Sequence, residues 1–216
     1  QSELERERHN DARSTFAQVL DIELQDDDAM DRYHAIALAR QAQSYYEENP
    51  GSAQARREAI QLSNQSISRD PSLWEPHYTL GRIYNETELY DDAIDEFKAA
   101  ARLNPDNAAV LFALGNAQFR AGQYQEARAS YEACVRIDPY FPNAYHNLGI
   151  TNLQLRSNPR ALEAFRFAAQ VKPDDDRAYH RIGNILLSQN DLSGAVSNFE
   201  TAIEYAPNND TYHSRL

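Results

Sequence analysis

The fold turns on "YHNLG", residues Tyr145-His146-Asn147-Leu148-Gly149. Glycine in a helix interior costs up to about 1 kcal/mol against alanine, so Gly149 within a helical stretch needs a reason. Repetition supplies one. Gly81, Gly115, Gly149 and Gly183 stand 34 residues apart, each behind an apolar residue: Leu80, Leu114, Leu148 and Ile182. Twelve residues after each glycine comes an alanine, at Ala93, Ala127, Ala161 and Ala195. Four further on stands an aromatic, Phe97, Tyr131, Phe165 or Phe199, and three later a small residue, Ala100, Cys134, Ala168 or Ala202. Prolines close the units at Pro71, Pro105, Pro139, Pro173 and Pro207. Chance does not hold six positions in phase through four units.

Each unit reads as two amphipathic helices. In the third, the first is expected over about Pro142–Leu155 and the second over about Pro159–Val171. Pro159 suits a first helical turn, where its missing N–H is not needed. Pro173 ends the second helix by removing a donor and clashing with the turn behind it, and it pushes the residue before it toward extended backbone. Gly149, Ala161 and Ala168 are expected where helices cross closely, a side chain there holding the two backbones apart. Phe165 and Tyr145 are expected to fill the space around them. A helix pair leaves one apolar face uncovered, which the next pair buries.

This pattern resembles the tetratricopeptide repeat, and the resemblance runs over residues 71–207 without insertion. It implies an all-α fold, a right-handed superhelical solenoid of antiparallel helix pairs whose first helices line a concave surface. Three regions follow: N-terminal helices plus a divergent, extended repeat over 1–70, four regular repeats over 71–207, and the start of a further or capping helix over 208–216. Within the first region, Ala12, Phe16, Val19 and Leu24 share the second-helix spacing, predicting a helix over 2–24. A long helix follows from about Asp27 to Glu47, with capping candidates at Asp26 to Asp28, then an "NPGS" turn at 49–52. The aromatic expected at Ser63 is missing.

Composition bounds the function. The 216 residues carry 21 basic and 33 acidic side chains, a net charge of −12, which repels phosphate backbones and argues against nucleic acid. No run approaches 18 apolar residues, so no membrane span is expected and the chain reads as soluble. The single Cys134, at an alanine position, reads as a small buried residue, and Trp74 as packing. A start at Gln1 is expected of a processed chain or an excised fragment. No GxSxG, HExxH, CxxC or phosphate loop occurs, so no catalysis and no cofactor is expected. Asp174 to Asp176 read as solvated caps rather than a calcium loop. His146 and His180, 34 apart, read as solvated histidines rather than a metal pair.

Function then falls to the concave surface. The resemblance, with helical i, i+3, i+4 and i+7 geometry, assigns to it Tyr78, Arg82 and Asn85, then Phe112, Asn116 and Phe119. Next come His146, Asn147, Ile150 and Leu153, and finally Arg177, His180, Arg181, Asn184 and Leu187. Phe112, Phe119, Ile150 and Leu153 are expected to be spare from the helix-pair core, and apolar groups on a surface mark a partner site. The expected partner is a peptide or helix of another protein. Alternatively, the groove or the N-terminal helices pack on a second copy, or the repeats serve an enzyme whose catalytic domain lies elsewhere.

Asn116, Asn147, Arg177 and Arg181 also resemble four of the five residues of the carboxylate clamp in tetratricopeptide co-chaperones. Amide and guanidinium donors suit the carboxylate at a peptide's C-terminus. The fifth residue, a lysine four before Asn116, is Phe112 here.

Overall fold

A computed structural model of the chain describes residues 27–49 and 51–209. The described residues form ten α-helices and no strand. The helix expected over 2–24, the cap at Asp26 and the segment beyond Asn209 lie outside the described residues. The chain divides into two compact units, 1–117 and 118–216.

Unit 1 holds α1 (Asp27–Glu48), α2 (Ala53–Arg69), α3 (Glu75–Glu86), α4 (Tyr90–Leu103) and the first part of α5 (Ala108–Arg120). Ser52 caps α2, its hydroxyl accepting from the Ala55 N–H at 3.3 Å. Ser63 is fully buried where an aromatic was expected. The buried ring of this region is Tyr46 of α1, clustered with Ala42, Ala59 and Ile83.

Unit 2 holds the end of α5, then α6 (Tyr124–Ile137), α7 (Ala144–Gln154), α8 (Asn158–Val171), α9 (Asp176–Ser188) and α10 (Leu192–Tyr205). The first helix of the third repeat starts two residues later than its proline suggests, because Asn143 adopts a left-handed conformation, φ 60° and ψ 0°. The core of this unit gathers Ala161, Phe165, Ile182, Ile185, Leu186, Ala195 and Phe199.

The 34-residue period has a backbone counterpart. Glu88, Gly122, Arg156 and Asn190 all take positive φ, between 55° and 77°, just past the first helix of each pair. The following N–H then reaches back five residues: Leu89 to Tyr84 O, Gln123 to Gln118 O, Ser157 to Asn152 O and Asp191 to Leu186 O, at 2.8–3.0 Å. This 6→1 bond past a left-handed residue satisfies carbonyls that a helix end leaves orphaned. The second helices end as the prolines require. The residues before them, Asp70, Asn104, Asp138, Lys172 and Ala206, lie at φ −127° to −139° with ψ 68° to 97°.

The glycines lie against aromatic rings rather than backbone. A methyl group on Gly149 would stand 2.6 Å from Cε1 of Phe165, and the same holds for Gly183 with Phe199. On Gly81 it would stand 2.7 Å from the Phe97 ring. At these three glycines the ring sixteen residues on lies against the glycine, so it is the side chain, not a neighbouring backbone, that excludes a Cβ.

Candidate functional site

Of the fifteen residues assigned to the concave surface, Tyr78, Arg82, Asn85, Phe112 and Asn116 belong to unit 1 and the other ten to unit 2. In unit 1, Tyr78 of α3 sits between Trp74 and Phe97, with ring centroids 5.9 and 5.8 Å away. Arg82, one turn on, lies 4.7 Å above the Tyr46 ring and donates to Glu47 at 3.2 Å. Both are half-buried, as are Asn85, Phe112 and Asn116.

Unit 2 corrects several expectations. His146 is not solvated. It is 6% exposed, its ring set edge-on to Phe165 at 5.5 Å and its Nδ1 3.9 Å from the buried Asp175 carboxylate. Burial holds its imidazole below the ordinary value, Arg177 adding to the fall and Asp175 opposing it. A buried neutral imidazole is packing, so His146 leaves the exposed set. Asp175 is likewise buried rather than solvated, at 4%. It is the anchor of Arg177, whose Nε donates to its Oδ1 at 3.0 Å while Nη2 donates to Asn143 Oδ1, also at 3.0 Å.

Asn147 turns toward its own protein. Its side chain is hydrogen-bonded to the hydroxyl of the buried Tyr131. Ile150 and Leu153 are not spare either: both are half-buried against the core of Phe165, Ile182 and Phe199. Phe119 meets Tyr124 edge-on at 5.3 Å.

The α9 side chains stay accessible. Arg177, Arg181 and Leu187 are exposed, and His180 and Asn184 are half-buried. Asn184 donates to the His180 carbonyl at 3.0 Å, and His180 faces Phe199 at 5.8 Å. Arg181 forms no ion pair among the described residues. Ile150 and Leu153 of α7 are thus half-buried on the core to which α9 gives Ile182, Ile185 and Leu186, while α9 exposes Arg177, Arg181 and Leu187, the last at 40%. Among the described residues the Arg181 guanidinium donates no hydrogen bond.

Asn143 was missed from sequence, and Asp175 reads there only as a solvated cap; together they fix Arg177. One signal was available for His146. Tyr78, Phe112, His146 and His180 share one register, a ring each time, and Phe97, Phe165 and Phe199 follow nineteen residues after Tyr78, His146 and His180. A position that is always a ring is a packing position.

Cys134 is fully buried, and burial, with Asp138 adding, pushes its thiol up to about 12. No group of three metal-ligating side chains occurs among the described residues, and no described helix is long and apolar enough to cross a membrane.

The comparisons agree with this architecture. Tetratricopeptide-repeat models match residues 78–142 and 176–209. No curated protein matches in sequence. Among solved structures, MamA is similar at a TM-score of 0.67 and 26% identity, over 72% of this chain and 91% of that one. MamA residues 41 to the end from Desulfovibrio magneticus RS-1 give a TM-score of 0.69 at 20% identity, over 80% and 97%. YrrB, described as a TPR protein with an unusual peptide-binding site, gives 0.73 at 19% identity, over 83% and 90%. Helix pairs at a 34-residue period, the two matched segments and these neighbours agree: the chain carries tetratricopeptide repeats over residues 78–142 and 176–209 and has the fold of a tetratricopeptide solenoid.

Proposed function

We propose that the chain is a protein-interaction scaffold that docks an extended peptide or a helix of a partner protein on the α7–α9 face of unit 2. Tetratricopeptide solenoids bind through the surfaces that their first helices line, and YrrB, alike in fold, is described as carrying a peptide-binding site. The observation that carries the reading is Arg181. This exposed guanidinium forms no ion pair among the described residues and stands on the helix that also exposes Leu187.

Capture of a C-terminal carboxylate is a narrower form of this reading and rests on Arg181. Arg177 already holds Asp175 and Asn143, and Asn147 already holds Tyr131. Peptides selected from a display library on the whole chain test the reading. Binding is expected to fall more than about tenfold with Arg181→Glu plus Leu187→Ser, as loss of a charged hydrogen bond and an apolar contact requires. Unchanged binding overturns it. Amidating the peptide's C-terminus separates a gripped carboxylate from a general groove. Light scattering separates docking from self-assembly, which requires a mass that grows with concentration.

A further inference from the structure

Unit 2 breaks its own register at one buried place. Gln118 is 4% exposed, and its side-chain oxygen accepts from the Ser130 hydroxyl at 2.6 Å. Thirty-four residues on, the same two positions hold Asn152 and Ala164. The amide side chain is one methylene shorter and its hydroxyl partner is gone. Asn152 is 2% exposed, and its carboxamide oxygen has no hydrogen-bond partner among the described residues. The fourth unit avoids the problem with Leu186 at this position. A buried acceptor left unpaired is unfavourable, so a donor that reaches it from outside gains what the fold lacks.

A cleft of about 370 Å³ opens on Asn152, on a different face of α7 from Ile150 and Leu153. One wall is an aromatic pair, Tyr145 and Phe167, stacked with centroids 5.2 Å apart and planes 22° from parallel. Phe167 is 41% exposed, and among the described residues its ring partner is Tyr145. The rim bears two carboxylates, Glu132 and Glu163, and one guanidinium, Arg160. Glu163 forms no ion pair among the described residues, and Glu132 meets only Arg128, at 3.8 Å.

The geometry points to a socket for an arginine side chain of a partner protein. A guanidinium is a plane with five donors and no acceptor. It gives the Asn152 oxygen a hydrogen bond, places its other edge toward Glu132 and Glu163, and lies against the Phe167 ring. An apolar side chain leaves Asn152 unpaired. An ammonium group satisfies a carboxylate but has no plane to stack. The excess of carboxylates at the rim and the −12 of the whole chain draw a cation in. This socket is independent of the α7–α9 face and stands or falls without it.

The test is an amide NMR titration of the whole chain with Nα-acetyl-arginine methylamide, and with the lysine analogue as control. Saturable shifts are expected at Asn152, Tyr145 and Phe167, with lysine about fivefold weaker or worse. Glu163→Gln is expected to weaken arginine by about threefold. Asn152→Leu copies the fourth unit, and Asn152→Gln with Ala164→Ser recreates the Gln118–Ser130 pair; both are expected to abolish the shifts. If the leucine variant fails to fold, the paired variant decides. Absence of a saturable shift overturns the proposal. So does equal response to arginine and lysine, which reports only attraction to an acidic surface, or wild-type binding by the paired variant.

Discussion

The Phe165 ring covers Gly149 so closely that a single added methyl would stand 2.6 Å from it. Gly149→Ala gains helix propensity, up to about 1 kcal/mol, but overpacks a buried ring, which costs about 1–3 kcal/mol. A net loss of up to about 2 kcal/mol in urea unfolding is expected. Phe165→Leu made with it is expected to recover part of that loss, because the two residues share one contact.

The left-handed turns give the opposite sign. Arg156 holds φ 55°, where a side chain is disfavoured, while Gly122 fills the equivalent place in the second unit. Arg156→Gly relieves that strain and loses part of the gain to unfolded-chain entropy. A stabilisation of about 0.5–1 kcal/mol is expected. Asn190→Gly is expected to change stability less, since asparagine tolerates this conformation.

His146 makes stability fall in mild acid. Its folded-state pKa lies below the ordinary value of about 6.5. As pH drops through that value the unfolded chain takes up a proton that the folded chain refuses, so unfolding becomes easier. The loss stops growing once pH is below the folded value. Asp175 and Asp176 face the ring as anions and Arg177 and Arg181 as cations, with burial the largest influence. His146→Phe, the residue found at Phe112 in the same register, is expected to keep the fold and flatten this part of the pH profile. An unchanged profile would contradict the buried, neutral imidazole.

Cys134 is expected to be nearly inert. With its thiol raised to about 12, little thiolate exists at pH 8. Reaction with Ellman's reagent should be slower in the folded chain than in urea by on the order of a hundredfold or more. A rate close to that of the unfolded chain would show Cys134 to be accessible.

The repeat and its helix ends were legible because they depend on local chemistry. Prolines, glycines and apolar periodicity act within a turn or two, so α8 at Asn158–Val171 differs by one residue from the span read off Pro159. The site was less legible because its side chains are claimed by residues far along the chain. Asn147 is taken by Tyr131, sixteen positions back, and Arg177 by Asn143, thirty-four back. Helical spacing sets the direction of such side chains but not which partner waits there. Gly149 shows the same limit: its closeness was readable, but not that a ring rather than a backbone lay against it.

Amide hydrogen exchange of the whole chain, with and without a display-selected peptide, addresses the docking face most directly. Added protection is expected over α9 from Arg177 to Leu187 and over α7 from Asn147 to Leu153, and it is expected to vanish in the Arg181→Glu, Leu187→Ser chain. Protection confined to other helices, or equal protection in the variant, would contradict the assignment.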